Sequence, residues 1–583
     1  MPLSERFSNY QRDLQNLVLE TIAKTRDPRE SRPSDQGRRI RQLVVGVVAL
    51  AIVIAKLHFS DPIVPDDAFI TLRYSYNLLH HGVFTYNFPS ASARDAATSP
   101  LYAVFLAPLL AIFSPVRAFD IVMALSIAGA AVLLFTILEE EWSRIAAISG
   151  TLALLLNDYL YATRGMETSL FIFMCLLTIH LFAKVARNAT SPDEMPRKAL
   201  AVGTGIAWAL AVFIRGEAIL IGLFLLIKVI SIVNQRPPTT SKLRAHGRAG
   251  HSRSLRLYAK RAFPNSRTAL IVISSLALGC FVVSLPIIIW LESQTGSLIP
   301  LTLKAKQEQA KSSFWGTGWI YYKGLVDFVN FYPWTKEIYA STFLGLAGLV
   351  GFAFKKAKLR RYMQTTTIVG FAILQLIAYG NLLVVPFYHW YFGPQLVAVS
   401  ALVGITVGWA FTHIMKSPLN ALASAVAIVV FTYMVISSAT LAKGAPTMIY
   451  TRQTSYEAAA QWLETNTPTN ATVAATEIGY IGYYSHRQMI DYLGLLNNRT
   501  AKWTEQANFY NWLFYYKPDY WVVHNPFWSF EEAVQLPWFH TAYSKVASFP
   551  GLIIYKKTGV IPSISGSEAL FAKLSAVPGT PRG

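Results

Sequence analysis

At 583 residues, with 53% apolar and 14% charged residues and a mean hydropathy of +0.36, the chain is too apolar for an ordinary water-soluble domain and implies a membrane as solvent. Its net charge of +20 would suit a nucleic-acid binder, but the excess sits between apolar runs and no binding module accompanies it, which sets that class aside. The only cysteines, Cys175 and Cys280, lie within apolar runs, so neither a disulfide framework nor a thiolate metal site is supported.

Residues 1–42 are polar and mixed in charge, with Arg38, Arg39 and Arg41 against the first apolar run. This predicts a cytoplasmic tail and no cleaved signal peptide. Eleven apolar segments then predict spanning helices within 43–442: Leu43–Phe59, Phe119–Leu138, Ile145–Leu160, Leu170–Val185, Leu200–Ile214, Ala218–Val233, Ala269–Leu291, Thr342–Phe354, Thr366–Val385, Phe392–His413 and Leu419–Leu441. Such runs suit helices crossing a hydrocarbon core of about 30 Å. The short segment Leu101–Phe113 follows Ser99-Pro100 and is expected to be interfacial or re-entrant.

Nine basic residues and no acid lie between Arg236 and Arg267, and Lys355, Lys356, Lys358, Arg360 and Arg361 form a second cluster. With an inside start and eleven spans, both face the cytoplasm, in keeping with the positive-inside bias. The first loop, 60–100, then lies outside with Arg164–Thr168, Arg215–Glu217, Glu292–Lys336 and Pro386–Trp390. Charged groups beside membrane helices are costly, so their gathering on one face suggests a site there.

Residues 443–558 mix a helix-like patch, Tyr456–Glu464, with strand-like ones at Thr472–Ala475, Gln488–Tyr492, Tyr520–His524 and Leu552–Lys556. A small extracytoplasmic α/β domain is expected, with 559–583 as a flexible tail rich in Ser, Gly, Pro and Ala. Its Trp503, Trp512, Trp521 and Trp528 suit either sugar stacking or a small core.

Asp66 and Asp67 open a segment in which Phe69, Leu72, Tyr76 and Leu79 share a helical face, predicting an interfacial amphipathic helix. A helix N-terminus favours the carboxylate anion, which suits a base close to lipid, although two acids at a helix start are also ordinary caps. Arg73 on that helix suits a lipid headgroup or phosphate contact. No Gly-rich phosphate loop opens a helix, which argues against direct use of a nucleotide sugar. His80 and His81 are adjacent and cannot both face one ion from a regular helix, so no metal site is expected.

The stretch Pro65-Asp66-Asp67-Ala68-Phe69-Ile70, followed by Thr98-Ser99-Pro100-Leu101, resembles the GT-C glycosyltransferases, most closely the actinobacterial terminal arabinofuranosyltransferases. Gly165-Met166-Glu167-Thr168, Arg215-Gly216-Glu217, Pro300-x-Thr302-x-x-Ala305-Lys306 and Glu477-Ile478-Gly479-Tyr480 with Asp491-Tyr492-Leu493-Gly494 resemble further motifs of these enzymes. Gly216 stands where the family commonly has proline, and Leu301 where it has asparagine.

The resemblance implies an inverting transfer from a polyprenyl-phosphate sugar, best matched by arabinofuranose, to a cell-envelope glycan at the outer face of the plasma membrane, with no metal or further cofactor. It implies Asp66 as the base. Asp67, Glu167 and His389 are then candidates to hold sugar, and Lys306, Arg215 and Arg73 to hold the donor phosphate, with Glu217 as a possible ion-pair partner of Arg215. Two rivals remain: a mannose or aminoarabinose transferase of the same build acting on protein or lipid, and a flippase for a lipid-linked sugar. A carrier needs ionisable groups near mid-membrane, whereas these sit at outer helix ends.

Overall fold

The computed structural model describes residues 35–59, 64–90, 96–190, 198–233, 264–298, 300–312, 319–331, 337–353, 362–414, 417–439 and 447–562. The basic cluster 355–361, most of that between 236 and 267, the 1–34 part of the N-terminal tail and residues 563–583 lie outside the described residues.

The helices run α1 (Asp35–Phe59), α2 (Asp66–His81), α3 (Pro100–Leu110), α4 (Pro115–Glu141), α5 (Arg144–Leu155), α6 (Asp158–Tyr161), α7 (Thr168–Thr190), α8 (Lys198–Ile214), α9 (Ile221–Val233), α10 (Pro264–Thr295), α11 (Leu301–Lys311), α12 (Ile320–Phe331), α13 (Glu337–Ala353), α14 (Met363–Ile377), α15 (Gly393–His413) and α16 (Pro418–Ala439). Seven helices among the described residues are long and apolar enough to cross a membrane, and the chain is a multi-pass membrane protein.

Each of the eleven predicted spans contains helix, but α5, α8, α9 and α13 have only 12, 17, 13 and 17 residues. The predicted span Ile145–Leu160 departs most from expectation. Its helix stops at Leu155 and resumes as the four-residue α6 after Asn157. At about 1.5 Å per residue, neither α5 nor the 11-residue α3 reaches across the core unaided.

Small residues set the closest helix pairings, as expected where lipid supplies no hydrophobic drive. A Cβ at Gly404 of α15 would collide with the Ala146 carbonyl of α5, and one at Gly205 of α8 with the Leu276 carbonyl of α10. At one end of α4, Glu141 accepts from the amides of Gln364 and Thr365 at 2.8 and 2.9 Å, satisfying donors at the start of α14. Lys56 of α1 pairs with Asp158 of α6 and donates to the Ser438 carbonyl of α16 at 2.8 Å. The first and last apolar helices are thus pinned together.

The C-terminal part has the predicted α/β character. Helix α17 (Thr447–Asn466) leads into β1 (Thr472–Ala475), α18 (Ile478–Ser485), β2 (Gln488–Asp491), α19 (Asn498–Glu505), α20 (Asn511–Tyr516), β3 (Tyr520–His524), α21 (Phe539–Ala542), β4 (Tyr543–Phe549) and β5 (Leu552–Lys557). The sheet order is β2-β1-β3-β5-β4. β1 lies parallel to β2 and β3, while β5 is antiparallel to β3, pairing Tyr520 with Lys556, and to β4. Trp512 and Trp521 are fully buried and pack on Tyr492, with ring centroids 4.4 and 6.2 Å away. They form core and are closed to a sugar.

Candidate active site

Helix α2 does not lie open at an interface. Its residues from Ala68 to Ser75, with Asn77, are buried because two layers cover it, α3 on one side and α18 on the other. Phe69 packs on Tyr480, Tyr483 and Tyr484, with centroids 4.0, 5.6 and 5.6 Å away. The amphipathic pattern was real, but a protein domain rather than lipid meets one face.

Asp66 heads this helix and its carboxylate turns to the C-terminal domain, accepting from the backbone N–H of Gly479 at 2.7 Å and of Tyr480 at 2.8 Å. It therefore satisfies orphan donors of α18 rather than of its own helix. A Cβ at Gly479 would strike the Asp66 backbone carbonyl, so only glycine permits this approach. Burial pushes the Asp66 carboxyl well above the ordinary carboxylate range and the Glu477 carboxylate adds to the shift, against the pull of the two amides. Amides at a helix start favour the Asp66 anion as expected, but they belong to α18 and not to its own helix, and desolvation works against them.

The neighbouring Asp67 faces the membrane module. Lys306 of α11 approaches its Oδ2 at 3.4 Å. The Lys306 ammonium is itself almost fully buried, 4% exposed against 24% for Asp67, and lies 4.0, 5.4 and 5.3 Å from the ring centroids of Tyr388, Trp390 and Tyr391. Tyr388 is held by a bond from its hydroxyl to Gln309 of α11 at 3.0 Å. Among the described residues, long contact with one carboxylate and three rings leaves this cation incompletely paired.

Arg215, at the end of α8, is the opposite case. It meets Glu217 at 2.6 Å and Glu167 at 3.0 Å, with the Tyr391 ring 4.9 Å away. Tyr379 donates to the other Glu217 oxygen at 3.0 Å. Two carboxylates surround one guanidinium, so the pairing expected for Glu217 is present and extends to Glu167, another of the predicted site residues.

The remaining two predicted residues are differently placed. Arg73 is 3% exposed and donates to the carbonyls of Tyr86 and Arg487 at 2.7 Å each, tying the first loop to the C-terminal domain. It is walled off from lipid headgroups. His389 meets the Ala162 carbonyl through Nε2 at 2.9 Å, beside Tyr159.

The sequence motifs converge in space. Thr98 donates to Thr302 at 3.0 Å, Ser99 to the Ile214 carbonyl at 2.7 Å and Tyr102 to the Gly165 carbonyl at 3.1 Å. Gly165, at φ +87, lets its loop pass against Ala68 and Val64 beside the paired aspartates, and Thr168 donates to the Trp390 carbonyl at 2.9 Å. Each motif either presents a charged group or fixes the backbone that presents one. Sequence reasoning gave no role to Tyr388, Trp390 and Tyr391, whose signal was masked by the aromatics expected at any membrane edge, or to Arg452, which pairs with Glu477 from the start of α17.

Residues 447–569 match the model of a family described as a domain of unknown function, DUF8728. No curated protein sequence matches the chain. Among solved structures, it is similar to the archaeal oligosaccharyltransferase AglB from Archaeoglobus fulgidus in complex with an inhibitory peptide and a dolichol-phosphate, at 13% identity over 90% of this chain and 75% of that one, with a TM-score of 0.51. It is also similar to apo ArnT from Cupriavidus metallidurans, at 12% identity over 88% of this chain and 97% of that one, with a TM-score of 0.49. At such identity likeness concerns architecture alone: the chain has the membrane-embedded GT-C fold with a small C-terminal sheet domain.

Proposed function

We propose that this protein is an inverting glycosyltransferase that moves a sugar, arabinofuranose on the strength of the sequence motifs, from a polyprenyl-phosphate carrier to a cell-envelope glycan. The observation that carries this reading is the junction of the Asp66–Asp67 pair with the buried, half-paired Lys306. The archaeal protein of the same fold holds a dolichol-phosphate, a lipid of the class proposed here. In this reading the site and the C-terminal domain face the outside of the plasma membrane.

A sugar on phosphate already has its leaving group. The acceptor hydroxyl gives its proton to Asp66 while its oxygen attacks the anomeric carbon, and the bond from that carbon to the phosphate oxygen breaks with its electron pair left on the polyprenyl phosphate. Attack from the face opposite the phosphate inverts the anomeric centre. Lys306 compensates the charge on the departing phosphate in a dry surrounding where such a contact is strongest. Asp67 holds a neighbouring acceptor hydroxyl, and no resident metal or cofactor is invoked.

Arg215, Glu167 and Glu217 form the wall behind Lys306, and Arg73 and His389 shape the site through the backbone. The clustering of charge around α2 and α11, rather than along mid-membrane helix faces, favours transfer over flipping.

The test is transfer from synthetic polyprenyl-phosphate arabinofuranose, mannose and aminoarabinose to a panel of glycan, lipid and peptide acceptors by the purified protein and by Asp66→Asn. Loss of at least about a hundredfold in the folded variant is expected, the lower range for a general base. The preferred donor names the sugar. Failure of every donor, with lipid-linked sugar instead crossing liposomes, would replace the enzyme by a flippase.

A further inference from the structure

The C-terminal domain does more than sit beside the membrane module. Besides the two amides that hold Asp66, Tyr86 donates to the Ile478 carbonyl at 2.6 Å, Asn87 exchanges two bonds with the backbone of Met489 at 2.9 and 3.0 Å, and Arg73 reaches the Arg487 carbonyl. The loop and helix that carry the base are thus clasped by α18 and β2. Clasping alone is a structural role. The arrangement of charge goes further.

Glu477 is the residue immediately before α18, two positions from the first amide on Asp66. Its carboxylate pairs with Arg452 of α17. Arg452 is itself fixed: its Nε donates to the Tyr456 hydroxyl at 2.7 Å and its guanidinium lies 4.5 Å from the Trp528 ring centroid. The Tyr456 hydroxyl meets His524 Nε2 at 2.6 Å, and His524 Nδ1 meets Glu531 at 2.8 Å.

Glu531 is fully buried and also accepts from the amides of His524 and Trp528 at 3.1 and 2.8 Å and from Tyr492 at 3.2 Å. A carboxylate only accepts, so a neutral His524 carries its proton on Nδ1; Nε2 then accepts from Tyr456, whose oxygen accepts from Arg452. Every polar atom in the chain of bonds has one consistent role, which orients the Arg452 fork towards Glu477.

We propose that the C-terminal domain is a working part of the active centre, in which Glu477, fixed by the relay Arg452–Tyr456–His524–Glu531, is a positioning residue that acts through Asp66. This rests on Asp66 being the base. Among the described residues, three charged groups lie around Asp66: Asp67 on its own helix, Glu477 before α18 and Arg452 on α17, with the hydroxyls of Tyr86, Tyr456 and Tyr480 around them. The Glu477 charge strengthens the hold of Asp66 on a proton, and Arg452 limits that effect. A base that gains proton affinity takes the acceptor proton more readily, at the cost of being protonated in mildly acidic solution.

The paired variants Glu477→Gln and Arg452→Gln give the test, because they move Asp66 in opposite directions. Infrared titration of the protonated carboxyl band that is absent in Asp66→Asn reads Asp66 without any substrate. The pH–rate profile with the best of the three synthetic donors reads it in turnover. E477Q is expected to move both the band and the acid limb of the profile to lower pH, and R452Q to move both to higher pH, each by on the order of one pH unit.

Tyr456→Phe removes a relay oxygen without altering charge and is expected to lower kcat/KM about threefold to tenfold with the limb in place, roughly the worth of one hydrogen bond. A band and limb unmoved in folded E477Q and R452Q, or moved the same way in both, would overturn the proposal, as would a folded E477Q without activity at any pH. Activity retained by Asp66→Asn would instead remove the base assignment on which it stands.

Discussion

Two cation–carboxylate clusters lie against the same aromatic run, Tyr388 to Tyr391, and they differ in how far the cation is satisfied. Arg215 is held between Glu167 and Glu217, at 3.0 and 2.6 Å. Among the described residues, Lys306 has one carboxylate at 3.4 Å and otherwise aromatic faces. A planar guanidinium with five donors can serve two carboxylates at once, whereas a flexible ammonium can exchange one partner for another. In the proposed reaction the first cluster is built to stay and the second is completed by the donor phosphate.

The largest effect that separates them is on stability. Arg215→Met leaves Glu167 and Glu217 buried without a counter-charge, and breaking a buried pair from one side costs about 3–5 kcal/mol. Thermal unfolding in detergent is expected to show the loss, and the folded fraction is expected to keep most of its kcat. A stable R215M that has lost donor binding would make Arg215 the phosphate cation after all. Lys306→Met is expected to behave in the reverse sense: an unchanged melting temperature and kcat/KM lowered by about 10²–10³, the usual cost of removing one oxyanion contact. Equal transfer by K306M and wild type would end the role of Lys306 in the proposed reaction.

Between these lies Asp67→Asn. In the proposed reaction Asp67 competes with the donor phosphate for Lys306, so removing its charge is expected to lower the donor KM about threefold. It also weakens one charged hydrogen bond to the acceptor, whose KM is expected to rise about tenfold. Opposite movement of the two constants in initial-rate assays separates this from a general distortion, which would raise both.

Much of this difference was visible in the sequence, and what was hidden was hidden for physical reasons. Apolar runs located the helices because the bilayer allows few alternatives to them, and strand patches such as Thr472–Ala475 and Tyr520–His524 returned as β1 and β3 with the same bounds. The break after Leu155 carried no proline or glycine to announce it. Acidic and basic residues at the helix ends expected to face outward marked the neighbourhood of the candidate site, yet pairing between Glu167 and Arg215 joins positions 48 apart, which no local pattern records. Arg73 looked like a headgroup contact because its helix is amphipathic, and only the docking of α18 shows that a protein covers it. Glu477 stood in a motif without any chemistry of its own until Arg452 and Asp66 were brought to it.

The smallest effect concerns the rings around Lys306. Tyr388→Phe loses the bond from the hydroxyl to Gln309 but keeps a ring 4.0 Å from the ammonium, so donor KM is expected to change by no more than about threefold, within the range of one neutral hydrogen bond. Tyr388→Leu keeps bulk and removes the ring quadrupole. A desolvated cation–π contact is worth up to about 2 kcal/mol, and losing it is expected to raise donor KM about tenfold or more. The pair of variants therefore reads what holds Lys306 ready: a large F-to-L difference places the work in the ring face, whereas equal losses in both would place it in the Gln309 tether and leave the ammonium oriented by α11 alone.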